Sequence, residues 1–284
     1  MFIAGDLVFL ELQKTGGSHI RRLLKRYVNG DPVGKHNRLT NDFVDKFIIG
    51  SIRNPWDWYV SLWAYGVSGK GAIRTRVCKG FDFNYYHSML PKSMGKNWLT
   101  PSEFLLSTYH DITKPVMEWK RVYKKADEPE LFQQWLKLLL SPRHRFDMGE
   151  GYAFSPLSAH AGLMTYRYFR LFTLGQEIYK NKMLADYASV ADFDLKHNVI
   201  KGMIRTESLE QDFVRVLSEA GLSLTDEQLS EILDKKVSKT NVSERKSVEF
   251  YYNEETLELV LMRDRYLIEK YGYQQPRLNQ ESAP

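Results

Sequence analysis

Cysteine is almost missing from this chain of 284 residues, with Cys78 standing alone. That excludes an internal disulfide and a cysteine-built metal cluster, and a reducing compartment fits best. No apolar run approaches the length of a membrane span, and the opening Met1-Phe2-Ile3-Ala4-Gly5-Asp6 puts no basic stretch ahead of an apolar one. The expectation is a cytoplasmic protein, or a soluble part of an anchored one. Internal repeats, low-complexity tracts and Pro/Gly-rich linkers are absent too, so one domain over residues 1–284 is the economical reading. A basic tail is also lacking. The formal net charge of +5 is spread along the chain, which suits an anionic ligand without implying nucleic acid. His87, His110, His144, His160 and His197 show no metal-ligand spacing, and no metal is expected.

What is present has the patterning of an α/β protein. Asp6 to Leu12 is a short apolar run, then comes a glycine pair, then Ile20, Leu23, Leu24 and Tyr27 at helical spacing opposite Arg21, Arg22, Lys25 and Arg26. Strand, tight loop and helix follow from that order. A second unit repeats it: Lys46 to Ile52 reads as a strand, and Pro55 suits the first turn of the next helix, where no amide hydrogen is needed. Strands alternating with helices point to a parallel sheet. Residues 67–196 read as helices and loops, including PSEFLLSTYH and ELFQQWLKLLL, and form a long, mainly helical insertion in a core of about residues 1–66 and 197–284. A last strand is expected over Asn198 to Arg205. The helix after it has a capping-box spacing of Ser208 and Gln211, and a closing helix runs from about Glu254 to Tyr271 with Gly272 as its C-cap.

The chemistry concentrates in Lys14-Thr15-Gly16-Gly17-Ser18. A strand-to-helix loop leaves amide hydrogens unpaired where the helix dipole is positive, and anions bind there. The glycines permit close backbone approach, Lys14 adds a full charge, and Thr15 or Ser18 supplies a hydroxyl donor. Lys14 precedes the glycines, whereas in the nucleoside triphosphatase loop the lysine follows them, which argues against ATP or GTP. Alone, the loop is equally well a glycine-rich turn opening a helix.

The passage FLELQKTGGSHIRRLL, followed at short interval by FIIGSIRNPWDWYVSLWAYG, resembles the carbohydrate-type sulfotransferases that use 3'-phosphoadenosine 5'-phosphosulfate (PAPS). Their two signatures are a KTGG(T/S) loop and an RNPxxxxxS segment, and the pair is far more specific than either half. IRTESLEQDF and NVSERKSVEFYYNEETLELVLMRDRYLIEKYGY look like that family's last strand, helix and closing segment. The resemblance implies a P-loop type three-layer α/β sandwich with a central parallel sheet. It implies that Lys14, Thr15, Gly16, Gly17 and Ser18 hold the 5'-phosphosulfate, that Arg53 and Ser61 hold the 3'-phosphate, and that Asn241, Ser243, Arg245 and Lys246 complete the site. Taken singly, Arg53 reads as a surface ion pair, Ser61 as a solvated helix position and the 241–246 loop as a solvated connection.

Sulfuryl transfer to a hydroxyl, or less readily an amine, of a glycan or small acceptor needs a base. His36 is favoured, because relatives carry a histidine after the first helix and imidazole titrates near neutrality. Glu11 is the second candidate. Many relatives have a histidine in HxPKTGG where this chain has Glu11-Leu12-Gln13, so Glu11 either takes the proton or orients the group that does. His19, beside the loop, ranks lower, and Trp56, Trp58, Tyr59 and Trp63 read as packing. Two alternatives stand beside the enzyme: a P-loop kinase or nucleotide hydrolase, and a non-catalytic protein that binds adenosine bisphosphate.

Overall fold

The computed structural model describes residues 1–34, 39, 41–81, 100–149, 151–174, 184–234 and 245–278. Among them, five strands form one open sheet: β1 Phe2–Ala4, β2 Leu7–Leu10, β3 Asp31–Pro32, β4 Phe47–Ile52 and β5 Gly202–Arg205, in the order β3-β1-β2-β4-β5. The sheet is mixed, which corrects the expectation of a parallel one. β2, β4 and β5 run parallel, with Phe9 opposite Ile49 and Gly50 opposite Met203, while β1 pairs antiparallel with both β2 and β3. The cause is a hairpin. Gly5, at φ 55°, and Asp6 turn the chain between Ala4 and its partner Leu7, so a strand precedes the run that reads as the first one.

Twelve α-helices lie among the described residues. The first six are α1 Gly17–Tyr27, α2 Pro55–Val67, α3 Ala72–Cys78, α4 Pro101–Thr113, α5 Val116–Arg121 and α6 Pro129–Leu140. The rest are α7 Leu163–Phe172, α8 Tyr187–His197, α9 Leu209–Glu219, α10 Asp226–Leu233, α11 Glu254–Arg263 and α12 Arg265–Tyr271. None is long and apolar enough to cross a membrane. Alternation along the strands sends side chains to both sheet faces. Phe9, Ile49 and Ile204 pack with Ile20, Leu23 and Leu24 of α1 and Phe213, Val216 and Leu217 of α9. Val8, Leu10, Ile48 and Ile52 join a larger cluster containing Trp56, Trp63, Phe132, Trp135, Phe169 and Leu257. Residues of the 67–196 stretch therefore share one core with the two ends of the chain.

One cap and one helix differ from their sequence reading. Ser208 precedes α9 but makes no cap bond with its side chain, and Gln211 is not used. Its hydroxyl donates to Asp212 Oδ2 at 2.9 Å, an oxygen that also accepts from the Arg205 amide at 2.8 Å, and Arg215 Nη2 donates to Met203 O at 2.8 Å. The closing helix is two helices, α11 and α12, because Asp264 leaves helical geometry at φ −115° and ψ 23°. Its buried carboxylate accepts from the Tyr59 hydroxyl at 2.6 Å and from the Thr165 amide and hydroxyl at 2.9 and 2.7 Å. Asp264 thus supplies the cap that α7 lacks locally, since its N-cap residue, Gly162, has no side chain to offer. Burial raises the Asp264 pKa, and these hydrogen bonds oppose the rise. Gly272 ends α12 in the left-handed region, as its sequence position predicts.

Candidate functional site

The loop between β2 and α1 lies at the carboxyl ends of the parallel strands β2 and β4, where open α/β sheets bind ligands. Lys14 and Gly16 both take positive φ, 65° and 76°, so the backbone doubles back before the helix starts. Gly16 is the N-cap of α1 and has no side-chain acceptor; its carbonyl accepts from the His19 and Ile20 amides at 2.9 and 3.1 Å, which leaves the Gly17 and Ser18 amides for an anion. Thr15 is fully buried. Its hydroxyl donates to Leu12 O at 2.7 Å and lies 2.6 Å from Ser51 Oγ of β4, so it ties the loop to the sheet, in contrast to the reading of Thr15 as a ligand donor. Ser18 is the exposed hydroxyl of the loop.

Glu11 is buried at the end of β2, with Oε2 3.4 Å from Arg21 Nη1 of α1. It fills the space where Gly17 has no side chain: a Cβ there would lie 2.5 Å from Glu11 Oε1. Gly17→Ala should therefore lower stability by about 1–3 kcal/mol through overpacking. Thermal unfolding of Gly17→Ala with and without Glu11→Ala checks this, and the cost should largely vanish in the double variant.

Lys14 faces the other way. Its Nζ sits 4.1 Å from the centre of the Tyr65 ring, and among the described residues no carboxylate or hydrogen-bond acceptor engages it. Burial first, then the neighbouring charges of Arg53, Arg245 and Lys70, pull its pKa down to about 8. Arg53 follows β4 and reaches back, with Nη1 donating to Lys14 O at 3.2 Å and Nε to Asp57 Oδ2 at 2.6 Å. Burial lowers the Arg53 pKa as well, and Asp57 opposes this. Arg245 Nη2 stands 2.5 Å from the other Asp57 oxygen, while Arg245 Nη1 is buried without a hydrogen-bond partner. One carboxylate thus holds two guanidiniums beside a lysine whose ammonium has no carboxylate partner among the described residues.

The helix α2 sets this geometry. Asn54 caps it by accepting from the Trp56 amide at 3.0 Å, and its own amide donates to Glu207 Oε1 at 2.6 Å; burial raises the Glu207 pKa. Trp58 donates its indole hydrogen to Gln13 O in the loop at 2.6 Å, and Tyr65 lies under Lys14. Positions 58, 61 and 65 share one stripe of a helix, so Ser61, 4% exposed, sits on the loop-facing side between them. Trp56, Tyr59 and Trp63 are fully buried, as packing residues should be.

No family model, curated protein or solved structure matches this chain. Of the residues singled out in the sequence, Lys14, Thr15, Gly16, Gly17, Arg53, Ser61 and Arg245 are gathered around one loop, while Glu11 lies beneath α1. His36, Asn241 and Ser243 lie outside the described residues, and Lys246 is exposed, its amide donating to the Tyr251 hydroxyl at 3.1 Å. His19 is buried, 3.4 Å from Glu210 and 2.9 Å from Arg22. Asp57 and Tyr65 stand beside the loop and were not singled out, while Trp58, read as packing, is fully buried and also holds the loop through Gln13 O. The spacing of Trp58, Ser61 and Tyr65 was the available signal. Among the described residues no group of three or more His, Cys, Asp or Glu side chains could hold a metal ion. An open groove of about 830 Å³ lined by Asn198, Lys201, Tyr266 and Lys270 lies at the start of β5 and shares no residue with the Lys14 cluster.

Proposed function

We propose that the chain is a sulfotransferase that moves a sulfuryl group from PAPS to a hydroxyl, or less readily an amine, most suitably on a carbohydrate. The observation that carries the reading is the Lys14 ammonium, without a carboxylate partner among the described residues, at a helix start with no side-chain cap and with Arg53 and Arg245 beside it. Such a site favours a ligand with two separated anionic groups, as PAPS has. The reading takes the fold as a P-loop type three-layer sandwich, with the donor lying across the ends of β2 and β4. The loop amides and Lys14 receive the 5'-phosphosulfate and stabilise charge on the leaving bridge oxygen. Arg53, Arg245 and Ser61 take the 3'-phosphate, which suits guanidinium forks and a hydroxyl. The acceptor oxygen attacks sulfur in line with the breaking S–O bond, its proton passes to a base, and 3',5'-adenosine bisphosphate leaves. His36 and Glu11 are the two candidates for that base. The ion pair with Arg21 ties Glu11 to α1, which favours an orienting role for it.

Labelled PAPS incubated with a panel of sugars and small alcohols in the presence of a chelator tests the proposal. Transfer of label with release of 3',5'-adenosine bisphosphate is expected. Magnesium-dependent cleavage of a nucleoside triphosphate, without PAPS binding, would instead assign a kinase or hydrolase. Tight binding of the bisphosphate with no transfer to any acceptor would assign a non-catalytic binding protein.

A further inference from the structure

Asp57 stands in the first turn of α2, four residues after Arg53, in the midst of cations that an anionic ligand would use. Its oxygens are divided between them. Oδ2 accepts from Arg53 Nε at 2.6 Å and lies 2.5 Å from Arg53 Nη2, and Oδ1 lies 2.5 Å from Arg245 Nη2. These contacts leave Arg53 Nη1 on the Lys14 carbonyl and Arg245 Nη1 buried with no partner. Arg53 comes from the end of β4 and Arg245 from a segment far away in sequence, so nothing local holds one beside the other. Their like charges oppose the approach, and each long side chain loses rotamer freedom when fixed.

We propose that Asp57 is a positioning residue: it spaces the Arg53 and Arg245 guanidiniums as a preformed fork for one terminal phosphate of the ligand. The inference rests on the PAPS reading, in which that group is the 3'-phosphate. A carboxylate so placed has two opposing effects. Its charge repels the phosphate, while its two ion pairs hold both guanidiniums where a phosphate can meet them together. The geometry favours the second effect, because each terminal nitrogen of Arg53 carries a second hydrogen beyond those given to Asp57 and the Lys14 carbonyl, and Asp57 lies against only one nitrogen of Arg245, whose Nη1 has no hydrogen-bond partner among the described residues.

The test compares 3',5'-adenosine bisphosphate with 5'-AMP, which lacks the 3'-phosphate, by calorimetric titration of the full chain and of Asp57→Asn and Asp57→Glu. The native chain should prefer the bisphosphate. Asp57→Asn should shrink that preference about tenfold, the worth of one charge-assisted hydrogen bond, with 5'-AMP affinity held within about twofold. Asp57→Glu, which keeps the charge, should recover part of the preference. If Asp57→Asn binds the bisphosphate as tightly as the native chain or more tightly, repulsion dominates and the role is wrong. Equal weakening toward both nucleotides assigns Asp57 to the fold alone and also overturns the role. A native chain with no preference for the bisphosphate removes the PAPS reading and this proposal together, an outcome visible before any variant is compared.

Discussion

Replacing Lys14 by alanine is expected to lower sulfuryl transfer about a hundred- to a thousand-fold, the usual cost of deleting one preorganised donor at a developing charge. The ammonium is held by the Tyr65 ring and by its left-handed backbone, with no carboxylate among the described residues to satisfy it. Its charge is therefore available to the ligand. The same environment gives the effect a pH signature. With a pKa near 8, about nine in ten Lys14 side chains are protonated at pH 7 in the free protein, and about one in ten at pH 9. An anion binds the protonated form, so affinity for 3',5'-adenosine bisphosphate should fall as pH rises from 7 through 8, by about tenfold at pH 9. Titrating native and Lys14→Ala chains across this range checks the assignment, since the variant should bind weakly with no limb near 8. A native profile flat to pH 10, together with unchanged affinity in Lys14→Ala, would remove Lys14 from the site.

The largest loss of stability is expected at Asp264, far from the loop. Asp264→Ala strands the Tyr59 hydroxyl and the amide and hydroxyl of Thr165, all buried, and takes the cap from α7. At about 1 kcal/mol or more for each stranded group, the cost should reach about 3 kcal/mol. That corresponds to a fall in Tm of roughly 6–12 °C for a chain of this size. Asp264→Asn keeps the shape and part of the acceptor capacity, so its Tm should lie between the two. Scanning calorimetry decides it, and a loss of under 1 kcal/mol in the alanine variant would mean that water replaces the carboxylate.

How much of this was legible in the sequence follows the distance over which each feature is determined. The passage from β2 through the loop to α1, and from β4 through Arg53 and Pro55 to α2, could be read because glycine, proline and apolar spacing act over a few residues. The hairpin that makes the sheet mixed was signalled only by Gly5-Asp6 beside strands of three and four residues, too short to show alternation. β3, two residues long, carries no pattern at all. Lys14, Arg53 and Arg245 could be grouped only through a family resemblance, since nothing local relates positions 14, 53 and 245. Their counterion Asp57 was hidden by its ordinary place in a helix's first turn, where an acidic residue needs no further reason. The Asp264 cap is less legible still: it serves a helix 99 residues earlier, and the break it makes between α11 and α12 falls inside an apolar periodicity that continues across it.

The hydrogen bonds that Asp212 and Arg215 make to β5 have a consequence for the protein at high concentration. A strand at the rim of a sheet is a template on which a second chain can add its own strand. Here the Arg205 amide and Met203 carbonyl are already taken by side chains of the chain's own α9. At the opposite rim β3 is two residues long and one of them is Pro32, which has no amide hydrogen to give. Among the described residues each rim is thus hindered from adding a strand, which disfavours cross-sheet association of crowded copies of this chain.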